Sequence, residues 1–174
     1  MARLALSIDI LIEKIGDQII ASHHELDSLV LVGIMSGGAP IAERLQKYLI
    51  KKTNTHVSLG KLDITLYRDD LNLGGPTREI QETWLPSSID EKGIILVDDV
   101  LFHGRTVRAA IDHILDYGRP KHIELAVLID RGHRELPFCA NFTGHILKTQ
   151  SRDTISVRLK EIDGEDAIDH AQGT

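Results

Sequence analysis

The sequence contains little cysteine, no long apolar run and no Pro/Gly/Ser-rich linker, and each absence excludes a class of protein. Cys139 is the single cysteine, so neither an intrachain disulfide nor a cysteine metal cluster can form, which suits a reducing compartment. The longest apolar runs, such as 29–32 and 94–97, are far too short to cross a bilayer. The N-terminus reaches Asp9 before an apolar segment of secretory length forms. We therefore expect a cytoplasmic protein with no membrane partner.

Internal repeats and excess positive charge are also missing. No segment recurs at a fixed period, and 174 residues are enough for one domain with a full core, so we expect a single domain over residues 1–174. The formal net charge is −6 at pH 7. This charge argues against a nucleic-acid partner, because the molecule as a whole repels a phosphate polymer unless positive charge is concentrated on one face.

Two strand–loop–helix units indicate the fold class. The apolar run 29–32 leads into the glycine-rich segment 33–38 and then a helix over 40–49, which carries one apolar stripe and has Pro40 in its first turn. The pattern recurs in the run 94–97, the segment 98–105 and a helix from about Thr106 to Tyr117. Another apolar run follows at 123–129. Strands that are apolar on both faces are typical of a parallel sheet covered by helices, so the sequence predicts an α/β fold.

The remaining segments are predicted from their periodicity. Helical spacing predicts a covering helix over 8–20, and alternation predicts a half-buried strand over 57–68 and a late strand over 155–159. The polar segment 69–86 is expected to be a long functional loop. We place the core at about residues 8–160 and expect the tail, residues 164–174, to be frayed.

The strongest chemical signal is the string IILVDDVLFHGRT at 94–106. Asp98 and Asp99 stand at the carboxyl end of a buried strand, where open α/β sheets bind ligands. The turn through Gly104 and Thr106 opens a helix whose N-terminal amides attract a phosphate. The two carboxylates can accept hydrogen bonds from vicinal hydroxyls, and the amides can bind a phosphate. Together they suit a sugar phosphate. The alternative is a solvated acidic turn before an ordinary helix with Thr106 as its N-cap.

This string resembles the phosphoribosyl-pyrophosphate (PRPP) motif of type I phosphoribosyltransferases. Two more strings, LDITLYRDDL at 62–71 and LAVLIDRGHRELP at 125–137, resemble signatures of the PyrR family of pyrimidine operon regulators that are also uracil phosphoribosyltransferases. The resemblance runs from about Ile8 to Leu159, and three long strings in the right order are more specific than a short motif. It implies a type I phosphoribosyltransferase fold: a mostly parallel central sheet flanked by helices, with a small hood and a flexible loop.

The resemblance also implies where PRPP binds. Asp98 and Asp99 are expected to be catalytic and to face the ribose 2′ and 3′ hydroxyls. The 5′-phosphate is expected in the loop 102–106, within a PRPP-binding segment that continues after the acids with Val100, Leu101, Phe102, His103, Gly104, Arg105 and Thr106. Pyrophosphate is expected on the amides of Ser36, Gly37 and Gly38, which can form an anion-binding nest.

Two positions depart from the family pattern. Thr-Arg-Gly is frequent in the family where this chain has Ser36–Gly38, so a charged contact is missing unless Arg78, or less readily Arg68, supplies it. His103 stands where threonine is usual, and the lost hydroxyl contact can be replaced by an imidazolium at lower pH. The alternative to a pyrophosphate site is that Gly37 and Gly38 form a simple tight turn before a helix, and without the resemblance we would favour it.

Arg131 and Ile155 are the candidates for the uracil or nucleotide site. Arg131 follows an apolar strand at the place where the family binds nucleotide, and Ile155 lies in the late strand. The alternative for Arg131 is a surface arginine paired with Asp130 or Glu135. The alternative for Ile155 is a plain core residue.

The resemblance implies that uracil reacts with PRPP to give UMP and pyrophosphate. It further implies that Mg²⁺ accompanies PRPP with no direct protein ligand, through water to Asp98 and Asp99. Two other classes of function stay open. One is a different base, such as a purine or orotate, and the other is a nucleotide-sensing RNA-binding attenuation regulator with weak or no catalysis.

The family's second activity is binding of pyrimidine-operon leader RNA in response to UMP or UTP. Among the positions that match the family's RNA-binding residues, Lys14, His133 and Arg134 keep that chemistry. Glu13 and Asp17 introduce acids on the first helix, which should weaken RNA binding. The resemblance also suggests a homodimer or a higher homo-oligomer.

Overall fold

The computed structural model describes residues 1–67, 82–86 and 88–173. Its strands are β1 (Ala2–Arg3), β2 (Leu29–Ile34), β3 (Ser58–Leu62), β4 (Gly93–Leu101), β5 (His122–Asp130), β6 (Phe142–Ile146), β7 (Thr154–Arg158) and β8 (Ala167–Ala171). Five of them form a parallel sheet in the order β3-β2-β4-β5-β6. β1, β8 and β7 form a separate antiparallel sheet, which we call the hood.

The helices are α1 (Ile8–Ser22), α2 (Gly38–Thr53), α3 (Arg105–Tyr117) and α4 (Lys160–Asp163), with short 3₁₀ turns at Leu26–Ser28 and Thr65–Tyr67. α1 and α2 pack on one face of the central sheet, where Leu29 and Leu31 of β2 point. α3 packs on the other face with Val30 and Val32. Burial on both faces explains the continuous apolar runs, so the predicted α/β fold is confirmed.

The predicted helices and buried strands occur at the expected places. α1 contains the predicted 8–20, with Ser7 as its N-cap, and α2 extends the predicted 40–49 at both ends. α3 ends at Tyr117 before Gly118, as predicted, but its N-cap is Gly104. Thr106 therefore lies within the first turn, and the alternative that made Thr106 the N-cap is wrong.

The predicted strand over 57–68 is correct only in its first half. β3 ends at Leu62, and Thr65–Tyr67 forms a 3₁₀ turn in which Leu66 is 67% exposed. The carboxylate of Asp63 causes the change, because its Oδ1 accepts hydrogen bonds from the Thr65 amide at 2.8 Å and the Thr65 hydroxyl at 2.6 Å. Such local bonding of an aspartate to the following backbone competes with a strand ladder.

The tail is not frayed, contrary to the prediction for 164–174. Residues 167–171 form β8, the central strand of the hood, and Ile168 is fully buried. Arg158 of β7 donates to Asp169 Oδ2 from Nε at 3.0 Å and Nη2 at 2.6 Å. Arg44 of α2 pairs with Glu161 of α4 and with Asp166, and both acids lie in the connection between β7 and β8 of the hood. The hood that the resemblance implied is therefore built by the two ends of the chain.

Among the described helices, none combines the length and the apolar character that are needed to cross a membrane.

Candidate active site

The two neighbouring acids lie on the central strand of the parallel sheet. β4 runs to Leu101, four residues beyond the predicted end, so Asp98 and Asp99 belong to the last part of the strand instead of following it. Asp98 pairs in register with Val127 of β5 and is only 7% exposed. Both acids are therefore held on a rigid element at the carboxyl edge of the sheet, where α/β proteins bind ligands.

Local hydrogen bonds fix the two carboxylates. The Asp99 amide donates to Asp98 Oδ1 at 3.0 Å, and the Val100 amide donates to Asp99 Oδ1 at 2.8 Å. Burial raises the pKa of Asp98 well above its usual value, and the neighbouring charge of Asp99 raises it further. A buried carboxyl beside a second carboxyl, both with oriented oxygens, is typical of a functional site.

The glycine loop that precedes α2 packs directly against the acids. A Cβ atom at Gly37 would lie 2.8 Å from Asp99 Oδ2, and one at Gly38 would lie 2.0 Å from the carbonyl oxygen of Val97. Glycine is thus needed at both positions because the loop backbone touches β4. The peptide bond between Met35 and Ser36 is cis. The structure brings together the predicted pyrophosphate loop and the acid pair, which are far apart in the sequence.

The loop after β4 presents a helix N-terminus on the same edge. Gly104 has a φ of +92°, a conformation that L side chains rarely adopt, and it is the N-cap of α3. The Arg108 amide is bonded to the Gly104 carbonyl at 3.0 Å. The amides of Thr106 and Val107 precede it in the first turn, where a helix leaves its backbone amides without an acceptor from an earlier turn, and such amides can bind an anion. Thr106 lies in this first turn with its side chain partly exposed.

Arg134 supports this loop from inside the protein. Its Nη1 donates to the carbonyls of Leu101 at 3.2 Å, Phe102 at 2.9 Å and Gly132 at 3.0 Å. Its Nη2 pairs with Asp130 at 2.5 Å. The guanidinium that the resemblance assigned to RNA is therefore engaged in positioning the loop that follows β4. The sequence carries no signal for this role, because most of the acceptors are backbone carbonyls.

Side chains of the loop are also organised by Glu135. The amide of Glu135 donates to the His103 carbonyl at 3.0 Å. Its carboxylate lies 2.8 Å from Arg105 Nε and 3.6 Å from His103 Nε2. The His103 ring stacks on Phe102 with centroids 3.4 Å apart. Arg105 and His103 thus share an acidic neighbour that the sequence analysis did not identify as a site residue.

Arg131 is a buried part of the site and not a surface arginine. It is 5% exposed, and its guanidinium carbon lies 3.8 Å from the centre of the Phe102 ring. Nη2 donates to the carbonyls of Gln150 at 2.8 Å and Ser151 at 3.2 Å, while Nε is buried with no partner in the described part of the chain. Burial lowers the pKa of this guanidinium.

The alternative partners of Arg131 are engaged elsewhere, since Asp130 pairs with Arg134 and Glu135 with Arg105. The surface alternative for Arg131 is wrong. Ile155 of β7 is half-buried and packs against the core on the α1 and α2 face. This placement agrees with its alternative assignment as a core residue.

The other predicted residues lie outside this cluster or outside the described chain. Arg78 and Arg68, and most of the predicted loop 69–86, fall in residues that the structure does not describe. Lys14 is exposed on α1 and donates to the Gly144 carbonyl at 2.7 Å. His133 is exposed, and its Nε2 lies 2.7 Å from the Thr149 carbonyl.

Comparisons with known proteins identify the domain. The family described as "Phosphoribosyl transferase domain" matches residues 5–151. A hypoxanthine phosphoribosyltransferase of Staphylococcus aureus has the same fold, with a TM-score of 0.69 at 22% identity over 100% of this chain and 93% of that one. A hypoxanthine-guanine phosphoribosyltransferase of Bacillus anthracis superposes with a TM-score of 0.63 at 17% identity, over 86% and 85% of the two chains.

Sequence relatives are much more similar. A protein of Chloroflexus aurantiacus named "Bifunctional protein PyrR" is 49% identical over 163 residues, covering 90% of both chains. Proteins of the same name from Clostridioides difficile and Thermus aquaticus are 48% and 44% identical, over 90% of this chain and 89% and 86% of theirs. The acid pair, the glycine loop and the α3 N-terminus thus occur in a chain that belongs to the PyrR family of type I phosphoribosyltransferases.

Proposed function

We propose that this protein transfers the phosphoribosyl group of PRPP to uracil, giving UMP and pyrophosphate. The observation that carries the proposal is the contact of Gly37 with Asp99, where an added Cβ would lie 2.8 Å from the carboxylate oxygen. This contact brings the 36–38 loop, whose amides are our candidate pyrophosphate site, against the two carboxylates. PRPP has a diphosphate and two hydroxyls on neighbouring ribose carbons, so it offers matching groups at this separation.

Each part of the site has a separate task in this proposal. Asp98 and Asp99 accept hydrogen bonds from the ribose hydroxyls, the amides of 36–38 bind the leaving pyrophosphate, and the first turn of α3 binds the 5′-phosphate. Uracil N1 attacks ribose C1 as the bond to pyrophosphate breaks. Positive charge develops on the ribose ring, and the carboxylates stabilise it electrostatically.

The oxygen atoms of Asp98 and Asp99 are suitable ligands for a hard divalent cation that PRPP brings to the site. Only carboxylate oxygens are offered, and one oxygen of each acid accepts a backbone amide. Mg²⁺ prefers oxygen ligands and keeps several waters, so Asp98 and Asp99 would hold it through water. When bound, Mg²⁺ neutralises charge on the leaving pyrophosphate. The chain's own contribution is to orient the ribose and to keep the amides aimed at the anions.

We assign Arg131 to the nucleotide side of the site. Its guanidinium lies over the Phe102 ring and donates to the 150–151 carbonyls, while Nε is buried and has no partner among the described residues. An unpaired buried donor is costly, so a ligand carbonyl or phosphate oxygen that reaches Nε would stabilise the complex. Ile155 stays a weaker candidate for the base pocket, since its packing against the core already explains its burial.

Pyrophosphate release from PRPP and Mg²⁺ against a panel of bases tests the proposal. We expect turnover with uracil and little with hypoxanthine, guanine or orotate. Asp99→Asn should lower kcat/KM by about 100-fold, which is the range for losing one positioned electrostatic group. Asp112→Asn is a matched control, because Asp112 lies on the exposed face of α3 and pairs with Arg108. Turnover with a purine alone, or full activity in the Asp98→Asn/Asp99→Asn variant, would contradict the proposal.

RNA-dependent regulation is the second candidate, and it rests on the name that the relatives carry. The contacts of Arg134 and the exposed acids Glu13 and Asp17 beside Lys14 argue against a strong RNA surface. Filter binding of pyrimidine-operon leader RNA with UMP present, at several salt concentrations, separates the cases. A steep salt dependence would support a regulator, whereas no binding at low salt would support an enzyme only. Self-association into a dimer or higher oligomer stays a prediction.

A further inference from the structure

A cluster of two histidines and a glutamate lies at the edge of the sheet opposite the acid pair. His122 and Glu124 are at the start of β5, and His23 directly follows α1. His122 pairs in register with Gly93, whereas Asp98 pairs with Val127 further along. At about 3.3 Å per strand residue, the cluster is roughly 17 Å from the acids. Any role it has is therefore separate from phosphoribosyl transfer.

The three side chains converge on one point. His122 and Glu124 are two residues apart on a strand, so their side chains lie on the same face. Glu124 Oε2 lies 2.9 Å from His23 Nε2 and 3.8 Å from His122 Nε2. One ligand atom from each residue can be chosen so that all three lie within 4.8 Å of one another. Gly93 leaves room for the arrangement, because a Cβ there would lie 2.6 Å from His122 Nε2.

The tautomer of His23 is fixed by the end of α1. Its Nδ1 lies 3.1 Å from the Ile19 carbonyl, which can only accept a hydrogen bond, so Nδ1 carries the proton. In the neutral ring, Nε2 then has a free lone pair, and Glu124 Oε2 lies 2.9 Å from this nitrogen. Such an Nδ1–H to carbonyl bond is the usual way in which a metal-binding histidine is oriented.

Glu124 lacks a matching donor. Its Oε2 is buried and has no hydrogen-bond partner in the described residues. Two acceptor atoms that close to each other repel, so a cation that contacts both atoms is needed for the arrangement to be favourable. An ion pair between His23 and Glu124 alone would leave the nearby His122 ring without a role. A metal ion uses all three side chains at once.

We propose that His23, His122 and Glu124 bind one zinc ion. Tetrahedral zinc with bonds of about 2.0–2.1 Å places its ligand atoms about 3.3–3.4 Å apart, and the observed 2.9 and 3.8 Å lie on either side of this value. The mixed nitrogen and oxygen set suits Zn²⁺ and not Mg²⁺. The His122 side chain is 41% exposed, so a water molecule can complete the site. The ion would tie the end of α1 to the start of β5.

Zinc titration of the chelator-treated full-length protein tests the site, with binding heat and the unfolding temperature as readouts. We expect one tight site per chain and a rise in unfolding temperature when zinc is added. His122→Gln should weaken binding by at least about tenfold, as even loss of a supporting group does at metal sites. This exposed residue is the safer variant to fold, and His23→Gln should act in the same way.

Two controls separate this site from other zinc-binding groups. His24→Gln changes an exposed histidine next to His23, and it should bind zinc like the unaltered chain. Asp98→Asn/Asp99→Asn should also keep the zinc site, whatever happens to its turnover. No stoichiometric binding, or binding that His122→Gln leaves unchanged, would overturn the proposal.

Discussion

Replacing Asp98 with asparagine should make the folded protein more stable at neutral pH while abolishing most of its activity. Asp98 is buried on β4 beside Asp99, and both burial and that neighbour raise its pKa. Asparagine has nearly the same shape and keeps a carbonyl oxygen for the Asp99 amide that now donates to Oδ1 at 3.0 Å. The substitution therefore removes the buried charge and little else.

Proton linkage gives both the sign and the size of the change in the free energy of unfolding that Asp98→Asn causes. Because the pKa of Asp98 is raised by folding, the folded state keeps a proton that the unfolded state releases as the pH increases. The stabilisation that this proton provides is present below the unfolded pKa and is lost as the pH rises toward the folded pKa. For each pH unit between the unfolded and the folded pKa of Asp98, the wild-type protein loses about 1.4 kcal/mol of unfolding free energy. The variant has no carboxyl at this position and therefore no such loss.

Urea denaturation of both proteins from pH 4.5 to 8, at equal protein concentration, measures this effect. The free energy of unfolding of Asp98→Asn should exceed that of the wild type by an amount that grows with pH. Each kcal/mol should raise the unfolding temperature by about 2–4 °C. Asp99→Asn removes the neighbouring charge, so it should reduce the pH dependence without removing it. If the two free energies of unfolding differ by a constant amount from pH 4.5 to 8, or if Asp98→Asn is less stable than the wild type at pH 8, folding does not raise the pKa of Asp98.

Two other substitutions test the loop and the hood. Gly37→Ala puts a Cβ 2.8 Å from Asp99 Oδ2, and displacing that carboxylate should lower kcat/KM by about 100-fold with the fold retained; activity within about twofold of wild type would contradict the contact. Arg44→Gln breaks ion pairs with Glu161 and Asp166 and should cost about 1–3 kcal/mol at pH 7 by urea denaturation. Arg44 lowers the pKa of both acids, so this cost should shrink as the pH falls from the unfolded pKa values toward the lowered folded ones, and a cost as large at pH 3 as at pH 7 would count against these pairs.

The parts of the fold that the sequence predicted are those with a local signal. The strand–loop–helix units at 29–49 and 94–117 carry apolar runs and helical spacing, and both units occur in the structure. β8 was not predicted because its residues include Asp169 and His170, which give no apolar alternation. Its burial comes from pairing with β1 and β7, strands that are distant in the sequence.

The residues of the candidate site also fall into those with a local sequence signal and those without one. Asp98 and Asp99 were found from their place after an apolar run, because a strand end is a local property. The contact of Gly37 with Asp99 and the support of the loop by Arg134 depend on how distant segments pack, which no periodicity encodes. The proposed zinc-binding cluster was not predicted for the same reason, because its members come from the end of one helix and the start of a strand that is distant in the sequence.

A crystal structure with PRPP and Mg²⁺ bound would show whether Asp98 and Asp99 hold the ribose. We expect the ribose 2′ and 3′ oxygens within hydrogen-bond distance of Asp98 and Asp99, with pyrophosphate on the 36–38 amides and the 5′-phosphate at the start of α3. A ribose bound elsewhere, with both carboxylates free of the sugar, would contradict it.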